Sequence, residues 1–203
     1  MVRDMTLLSL ASILACTQST IVDDTTDKGG DTNGGGGDTS TDDTGGAGLE
    51  IGAYSGPTLY INEVMSDIVK DETRPSASGD WLEIYNPGEE DISLTGFFLD
   101  RNTIGTGAAW PFPSGESVAA HDWYVVGLKS FEGSDKIDIV ADFHSSKEAD
   151  LLWLYMENAD GTAGVADSVE WTEAILAPES LARSPDGGEF AHTGHPTPGG
   201  ANQ

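Results

Sequence analysis

Residues 80–88 alternate between faces of an extended chain and then end in a turn signal. In this run, DWLEIYNPG, Leu82 and Ile84 point to one face, whereas Trp81 and Glu83 point to the other. A period of two is typical of a strand with one buried face, and Asn-Pro-Gly is typical of a turn. The pattern therefore predicts a half-buried β-strand with Glu83 on its solvent face.

Further short strands are predicted along the rest of the chain, separated by turn signals. In residues 58–66 (TLYINEVMS), the alternation places Leu59 and Ile61 on one face and Val64 on the other. Residues 108–113 (AAWPFP) contain two prolines, which fit a sheet edge. The other predicted strand segments are residues 91–101, 116–128, 137–143, 150–157, 162–171 and 180–184. No amphipathic helix longer than a turn or two is predicted, so the pattern indicates an all-β sandwich or barrel.

The first sixteen residues resemble a bacterial lipoprotein export signal. Residues 5–15 (MTLLSLASILA) form an apolar run that is too short to cross a hydrocarbon core of about 30 Å as a helix. The run ends in Ile-Leu-Ala-Cys, which resembles a lipobox, and Cys16 is the single cysteine. We predict a signal peptide over residues 1–15, cleavage before Cys16 and acylation of that residue. The alternative is an ordinary secretory signal followed by a free cysteine.

The resemblance to a lipoprotein implies that the protein is exported and anchored in a membrane through its N-terminal lipid. Thr17 and Gln18 follow the cysteine, and no aspartate occupies the second position to retain the protein in an inner membrane. By analogy, this favours the outer membrane or the cell surface. Several acyl chains would anchor the protein stably, whereas a single chain binds only marginally.

Residues 16–48 are rich in Asp, Thr and Gly, with four consecutive glycines at 34–37. Such a segment buries too little apolar surface to offset the entropy of ordering, so it is predicted to be a disordered, acidic linker. The sandwich domain is predicted over residues 55–203. Calcium binding by the linker is not predicted, because its aspartates do not follow an EF-hand loop pattern.

The formal net charge of −26 comes from 35 acidic and 9 basic residues. An acidic chain repels the phosphate backbone of nucleic acids, so DNA and RNA are excluded as expected partners. Cations, basic proteins and neutral glycans remain open as partners. The simpler interpretation is that the charge keeps an exported protein soluble.

Three motifs in their order resemble the lamin-tail domain of bacterial secreted proteins. They are INEVM at 61–65, DWLEIYNPG at 80–88 and LTGFFLD at 94–100. Further likenesses are WPFPSG at 110–115, AAHDWYVV at 119–126, residues 151–155 and 165–171, RSPDG at 183–187 and PTPGGAN at 196–202. The resemblance implies an immunoglobulin-like β-sandwich and a non-catalytic binding or tethering module. Such domains often occur beside secreted hydrolases.

No group of residues amounts to a predicted active site, and no cofactor is predicted. Asp67, Asp71, Glu72 and Asp80 share one loop region and are weak candidates for a calcium site. His192 and His195 lack an obvious third ligand for zinc.

Three other patterns resemble functional sites. Glu63 and Glu83 form a potential glycosidase-like carboxylate pair, but outward positions on a half-exposed sheet explain them more simply. Ser184 and Asp186 have no nucleophile-elbow context for a catalytic triad. The five tryptophans fit core positions better than a glycan platform, although one or two exposed rings would be the best hint of a binding site.

The sequence thus predicts a non-catalytic surface lipoprotein that presents a β-sandwich for binding or tethering in the cell envelope. Its partner, a protein or a glycan, is not identified by the sequence. The alternative is a metal-dependent extracellular hydrolase that uses calcium or zinc, or an accessory subunit of such an enzyme.

Overall fold

A computed structural model describes residues 48–66, 79–106, 109–129, 131, 136–176 and 178–203. Within these ranges the chain forms thirteen strands and no helix. The strands are β1 (Ile51–Gly52), β2 (Tyr60–Met65), β3 (Trp81–Tyr85), β4 (Ile92–Ser93), β5 (Phe97–Arg101), β6 (Trp110–Pro111), β7 (Ser117–Val118), β8 (Trp123–Gly127), β9 (Ile139–Val140), β10 (Asp150–Glu157), β11 (Ala163–Trp171), β12 (Ser180–Arg183) and β13 (Phe190–Thr193). Among the described residues, no helix is long and apolar enough for a membrane span.

Two sheets stack face to face, and a small two-stranded sheet accompanies them. The first sheet has the order β1-β11-β10-β5-β6, and the second has the order β13-β12-β2-β3-β8-β9. Strands β4 and β7 pair with each other. Most neighbours are antiparallel, whereas β1 with β11 and β8 with β9 are parallel. The predicted all-β sandwich is confirmed.

The main core lies between the two sheets. Leu99 and Leu152 from the first sheet pack with Ile61, Leu82 and Val126 from the second, and all five are fully buried. Complete burial of one such aliphatic side chain contributes about 1.5–3 kcal/mol, so this layer supplies most of the driving force for folding.

A β-bulge at Asn62 changes the face on which Val64 lies. Ile61 pairs with Ile84 and Glu63 pairs with Glu83, so Asn62 is an extra residue in β2. As a result, Val64 joins Leu59 and Ile61 in the main core. The predicted placement of Val64 on the opposite face is wrong, because simple alternation does not anticipate a bulge.

Strand β3 is buried on both faces, so the prediction of a half-buried strand is wrong. Leu82 and Ile84 face the main core, whereas Trp81 packs on the other face with Met65, Val125 and Phe131. Trp81 is 1% exposed and Glu83 is 0% exposed. The outer face is covered by chain that lies far away in sequence, and a period of two does not reveal such a cover.

Most predicted strands are present at nearly the predicted positions. Residues 150–157 form β10, and β6 is paired only with β5 at a sheet edge, as its prolines predict. The segment 137–143 gives only the two-residue β9. Next to this strand the Val125 amide donates to the side-chain carboxylate of Asp138 at 2.6 Å. In a longer strand, that amide would donate to a backbone carbonyl.

Two described strands were not predicted. Strand β1 is a two-residue strand that pairs with β11, and β13 lies in the Pro- and Gly-rich C-terminal region. Residues 1–47, which include the predicted signal peptide, Cys16 and nearly all of the predicted linker, lie outside the described residues. The predicted domain boundaries stay predictions.

Candidate functional site

Glu63 and Glu83 lie side by side in the folded chain. They are directly paired across β2 and β3, and both are 0% exposed. The expectation that they occupy outward, solvated positions is therefore wrong. The bulge at Asn62 aligns the two carboxylates on the same outer face, and the C-terminal segment, residues 184–203, supplies hydrogen bonds over them.

The Glu63 carboxylate is bound by Ser180 and Thr197. The Thr197 amide lies 3.1 Å from Oε2 and 3.3 Å from Oε1, and the Thr197 hydroxyl lies 3.2 Å from Oε2. The Ser180 hydroxyl, on β12, donates a hydrogen bond to Oε1. The Ser180 hydroxyl and the Thr197 amide both donate to this one side chain, so Glu63 ties residue 197 to the sheet.

The Glu83 carboxylate binds Asn62 and Gly199. Asn62 Nδ2 donates to Oε1 at 2.9 Å, and the Gly199 amide donates to Oε2 at 2.7 Å. Gly199 has φ of +69°, a conformation that glycine adopts without the strain that a Cβ would bring. The positive φ thus explains this glycine, since the space around its Cα would accommodate a Cβ.

Asp186 and Asn202 close the same network. Asp186 Oδ1 accepts Asn62 Nδ2 at 2.9 Å and the Asn202 amide at 3.0 Å. Asn62 Oδ1 in turn accepts the Gly187 amide at 3.0 Å. We call the three acidic residues Glu63, Glu83 and Asp186, together with Asn62 that connects them, the carboxylate cluster.

Burial is the largest influence on the pKa values of Glu63 and Glu83. It raises the pKa of Glu83 to about 8, although the hydrogen bonds from Asn62 and Gly199 act in the opposite direction and lower this pKa. Burial also raises the pKa of Glu63, and the nearby Asp186 charge adds to the shift in both residues. A carboxyl with a raised pKa retains its proton closer to neutral pH than an exposed one.

The hydrogen bonds of the carboxylate cluster fix the C-terminal segment to the sheet. A glycosidase pair needs one carboxyl as acid and another that faces the sugar or a water. Here both carboxylates are enclosed, and backbone amides or side chains of residues 62, 180, 197 and 199 occupy their oxygens. A substrate could reach either group only after the C-terminal segment moved away.

The raised pKa of Glu83 predicts that the protein is more stable in mild acid than in base. The folded chain holds this proton more tightly than the unfolded chain, so its contribution is full below about pH 4.5 and is lost as pH rises through about 8. We expect the free energy of unfolding to fall by on the order of 3 kcal/mol from pH 5 to pH 9, since each pKa unit corresponds to about 1.4 kcal/mol. Urea unfolding at both pH values measures this.

Two matched substitutions separate this effect from general charge repulsion, because each removes one acidic group. Glu83→Gln is expected to flatten the dependence between pH 5 and pH 9. Glu173→Gln changes an exposed side chain and should leave the slope as in the wild type. Equal slopes in the two variants would contradict the assignment to Glu83.

Only one of the four weak candidates for a calcium site lies within the described residues. Asp67, Asp71 and Glu72 lie outside the described residues, and Asp80 is a buried residue just before β3. Within the ranges described, no three His, Cys, Asp or Glu side chains are placed to hold a metal ion. The calcium prediction for this loop therefore remains untested.

The two histidines of the C-terminal region have ordinary surface surroundings. His192 lies on β13 with Nδ1 3.7 Å from a carboxylate oxygen of Glu179, and His195 lies beyond the strand. Both side chains are exposed. Neither geometry adds the third ligand that a zinc site needs.

Three of the five tryptophans reach the surface. Trp81 and Trp171 belong to buried clusters, whereas Trp110, Trp123 and Trp153 are partly exposed. Trp123 stacks on Tyr85 with ring centroids 5.6 Å apart, and Trp153 Nε1 donates to the Asn102 carbonyl at 2.9 Å. The expectation that most of these rings are core or cross-strand partners holds for these examples.

Sequence reasoning from periodicity missed the partners of the buried carboxylates. Asn62, Ser180, Thr197 and Gly199 carry no recognisable catalytic or ligand spacing. The signal that did mark most of them was the family-like motifs INEVM and PTPGGAN. The structure brings these distant motifs together around Glu63 and Glu83.

Comparison with known proteins agrees with this architecture. The family model described as Lamin Tail Domain matches residues 53–173, which include β2 through β11. A search of curated proteins finds no match. The lamin tail domain is an immunoglobulin-like, non-catalytic binding or structural domain. The match covers more than half of the chain, and the chain therefore belongs to the lamin tail domain family.

Proposed function

We propose that this protein is a lipid-anchored, non-catalytic envelope protein that presents its lamin tail domain as a binding module. The main observation behind the non-catalytic role is that Glu63 and Glu83, the pair that resembles a glycosidase site, are buried. The C-terminal segment donates hydrogen bonds to both side chains. Carboxylates committed in this way stabilise the fold and are not available to a substrate.

The anchor and the tether are part of the same proposal. The apolar run that ends at Cys16 supports export and acylation, and the acidic, Gly-rich residues after it support a flexible spacer. A self-repelling chain of this composition would hold the domain away from an outer-membrane or cell-surface lipid layer. The domain would then meet partners in the surrounding medium.

Metabolic labelling tests the anchor. Cells that express the wild-type chain with an alkyne-palmitate analogue should incorporate the label into the protein, and Cys16→Ser should abolish incorporation because the acyl acceptor is gone. Ser19→Ala is the matched control and should behave as wild type. Equal labelling of Cys16→Ser and wild type would refute the lipid anchor.

A further inference from the structure

A cleft opens where the edges of the two sheets meet. Strands β6 and β9 are the edge strands on this side of the sandwich, and the cleft is lined by side chains from or near both. Its volume is about 400 Å³. The lining residues are Arg101, Ala109, Trp110, Lys129, Asp142, Phe143 and His144. Known small-molecule sites have volumes of roughly 300–1,000 Å³, so this cleft is large enough for a small ligand.

The aromatic part of the cleft comes from Trp110 and Phe143. Trp110 pairs with Leu99 across β5 and β6, so its ring points toward the space between the sheets. The ring packs edge-on against Phe112 with centroids 4.9 Å apart and remains partly exposed. Phe143 is 3% exposed, and its carbonyl accepts the Lys129 amide at 2.8 Å, which fixes this wall to the end of β8.

The polar part of the cleft consists of ion pairs. Lys129 Nζ lies 2.7 Å from Asp142 Oδ1, and both side chains are mostly exposed. Arg101 forms an ion pair with the buried Asp150, with Nη2 2.7 Å from Oδ2, and its Nε donates a hydrogen bond to Oδ1 at 3.2 Å. Lys129 also lowers the pKa of Asp142, so this carboxylate stays ionised as an acceptor.

The charge balance of the cleft differs from that of the whole chain. The protein carries a formal net charge of −26, yet the cleft gathers Arg101, Lys129 and His144 from its few basic groups. Their partners Asp142 and Asp150 bring the local charge close to zero. An anion would enter against the field of the acidic protein, and a cation would meet side chains that are already paired. A neutral ligand meets neither obstacle.

We propose that this cleft binds a neutral saccharide. The hydroxyl groups of a sugar both donate and accept hydrogen bonds, so they can bind Asp142 and Lys129 together without separating the charges. The C–H face of a sugar ring is apolar and flat enough to lie on the partly exposed ring of Trp110. The volume suits one or two sugar rings. This inference rests on the proposed role as a binding module and names the class of its ligand.

Sugar titration of the mature, detergent-solubilised protein tests the proposal. The probes are maltose, cellobiose, lactose and N,N′-diacetylchitobiose, with galacturonic acid as an anionic comparison, and calorimetry is the readout. We expect at least one neutral disaccharide to bind with a Kd of about 1 mM or tighter. Asp142→Ala, at an exposed pair whose loss costs little stability, should weaken that binding about tenfold. Trp110→Ala should weaken it by at least as much, because aromatic anchors dominate small interfaces.

Trp123→Ala is the control, because this partly exposed tryptophan begins β8, whereas the cleft lies beyond the other end of that strand. It should bind the same disaccharide as the wild type does. The proposal is overturned if none of the four disaccharides binds with a Kd of about 1 mM or tighter. Binding of galacturonic acid alone, or full binding by Asp142→Ala and Trp110→Ala, would also overturn it. Palmitate labelling is read separately, so a failed titration leaves the proposed anchor standing.

Discussion

Replacing Glu63 by alanine is expected to destabilise the protein by roughly 3–4 kcal/mol. The substitution removes the acceptor of the Ser180 hydroxyl and of the Thr197 amide, and it leaves a cavity at a site that is 0% exposed. The Thr197 hydroxyl keeps Asn202 Oδ1 as an acceptor at 2.6 Å. Each donor left buried without a partner costs about 1–3 kcal/mol, and partial rearrangement of the C-terminal segment recovers some of this loss. Such a change is a large part of the roughly 5–15 kcal/mol by which domains are stable.

Urea unfolding of the purified variants measures this effect. Glu63→Gln preserves the shape of the side chain but points an amide toward groups that donate, so we expect about half the loss caused by alanine. Glu89→Ala is the control, since its side chain is 90% exposed, and it should change stability by less than about 0.5 kcal/mol. If Glu63→Ala proved as stable as Glu89→Ala, the cluster would not hold the C-terminal segment.

Replacing Arg183 by alanine should cost roughly 3–5 kcal/mol. This β12 side chain contacts Asp167 of β11 with Nη2 3.0 Å from both carboxylate oxygens, and so links the two sheets. Asp167 is largely buried, and burial already raises its pKa against the opposing effect of Arg183. Removing one partner leaves a buried charge uncompensated, which is much costlier than losing an exposed pair.

Arg183 makes further contacts that a lysine cannot reproduce. Its Nε donates to the Ile61 carbonyl at 3.0 Å, its Nη1 donates to Gly188, and the guanidinium lies 4.1 Å from the centroid of Phe190. Arg183→Lys should therefore recover only part of the stability, because an ammonium lacks the planar fork. Lys129→Ala is the matched control, since it also removes one positive charge but from an exposed pair, and should cost about 1 kcal/mol or less. Similar losses for Arg183→Ala and Lys129→Ala, measured by urea unfolding, would show that the inter-sheet contact is not significant.

The strands were predictable wherever local periodicity determines burial. The segments that became β8, β10 and β11 pair with their neighbours and bury regularly spaced residues such as Val126, Leu152 and Leu154. The edge position of β6 followed from its prolines, because a proline has no N–H to donate to a neighbouring strand. These features depend on a few adjacent residues.

The candidate site was not predictable from periodicity, because it depends on contacts between distant residues. Glu83 and Gly199 are 116 positions apart, and Glu63 and Thr197 are 134 apart. Local sequence predicts that an acidic side chain on a strand faces solvent, because the distant segment that covers it is not part of the local pattern. The bulge at Asn62, which aligns the two carboxylates, also has no signature in local alternation. The family-like motifs marked these positions without revealing their physical role.

Amide hydrogen exchange at Thr197 and Gly199 in the purified protein tests most directly whether the buried acidic pair secures the C-terminal segment. Both amides donate to carboxylates that are shielded from water, so they should exchange as slowly as the amides of β3. In Glu63→Ala, exchange at Thr197 should accelerate by at least about a hundredfold, as expected for a local loss of about 3 kcal/mol. Exchange of both amides at the rate of an unstructured chain in the wild type, with β3 still protected, would contradict this account.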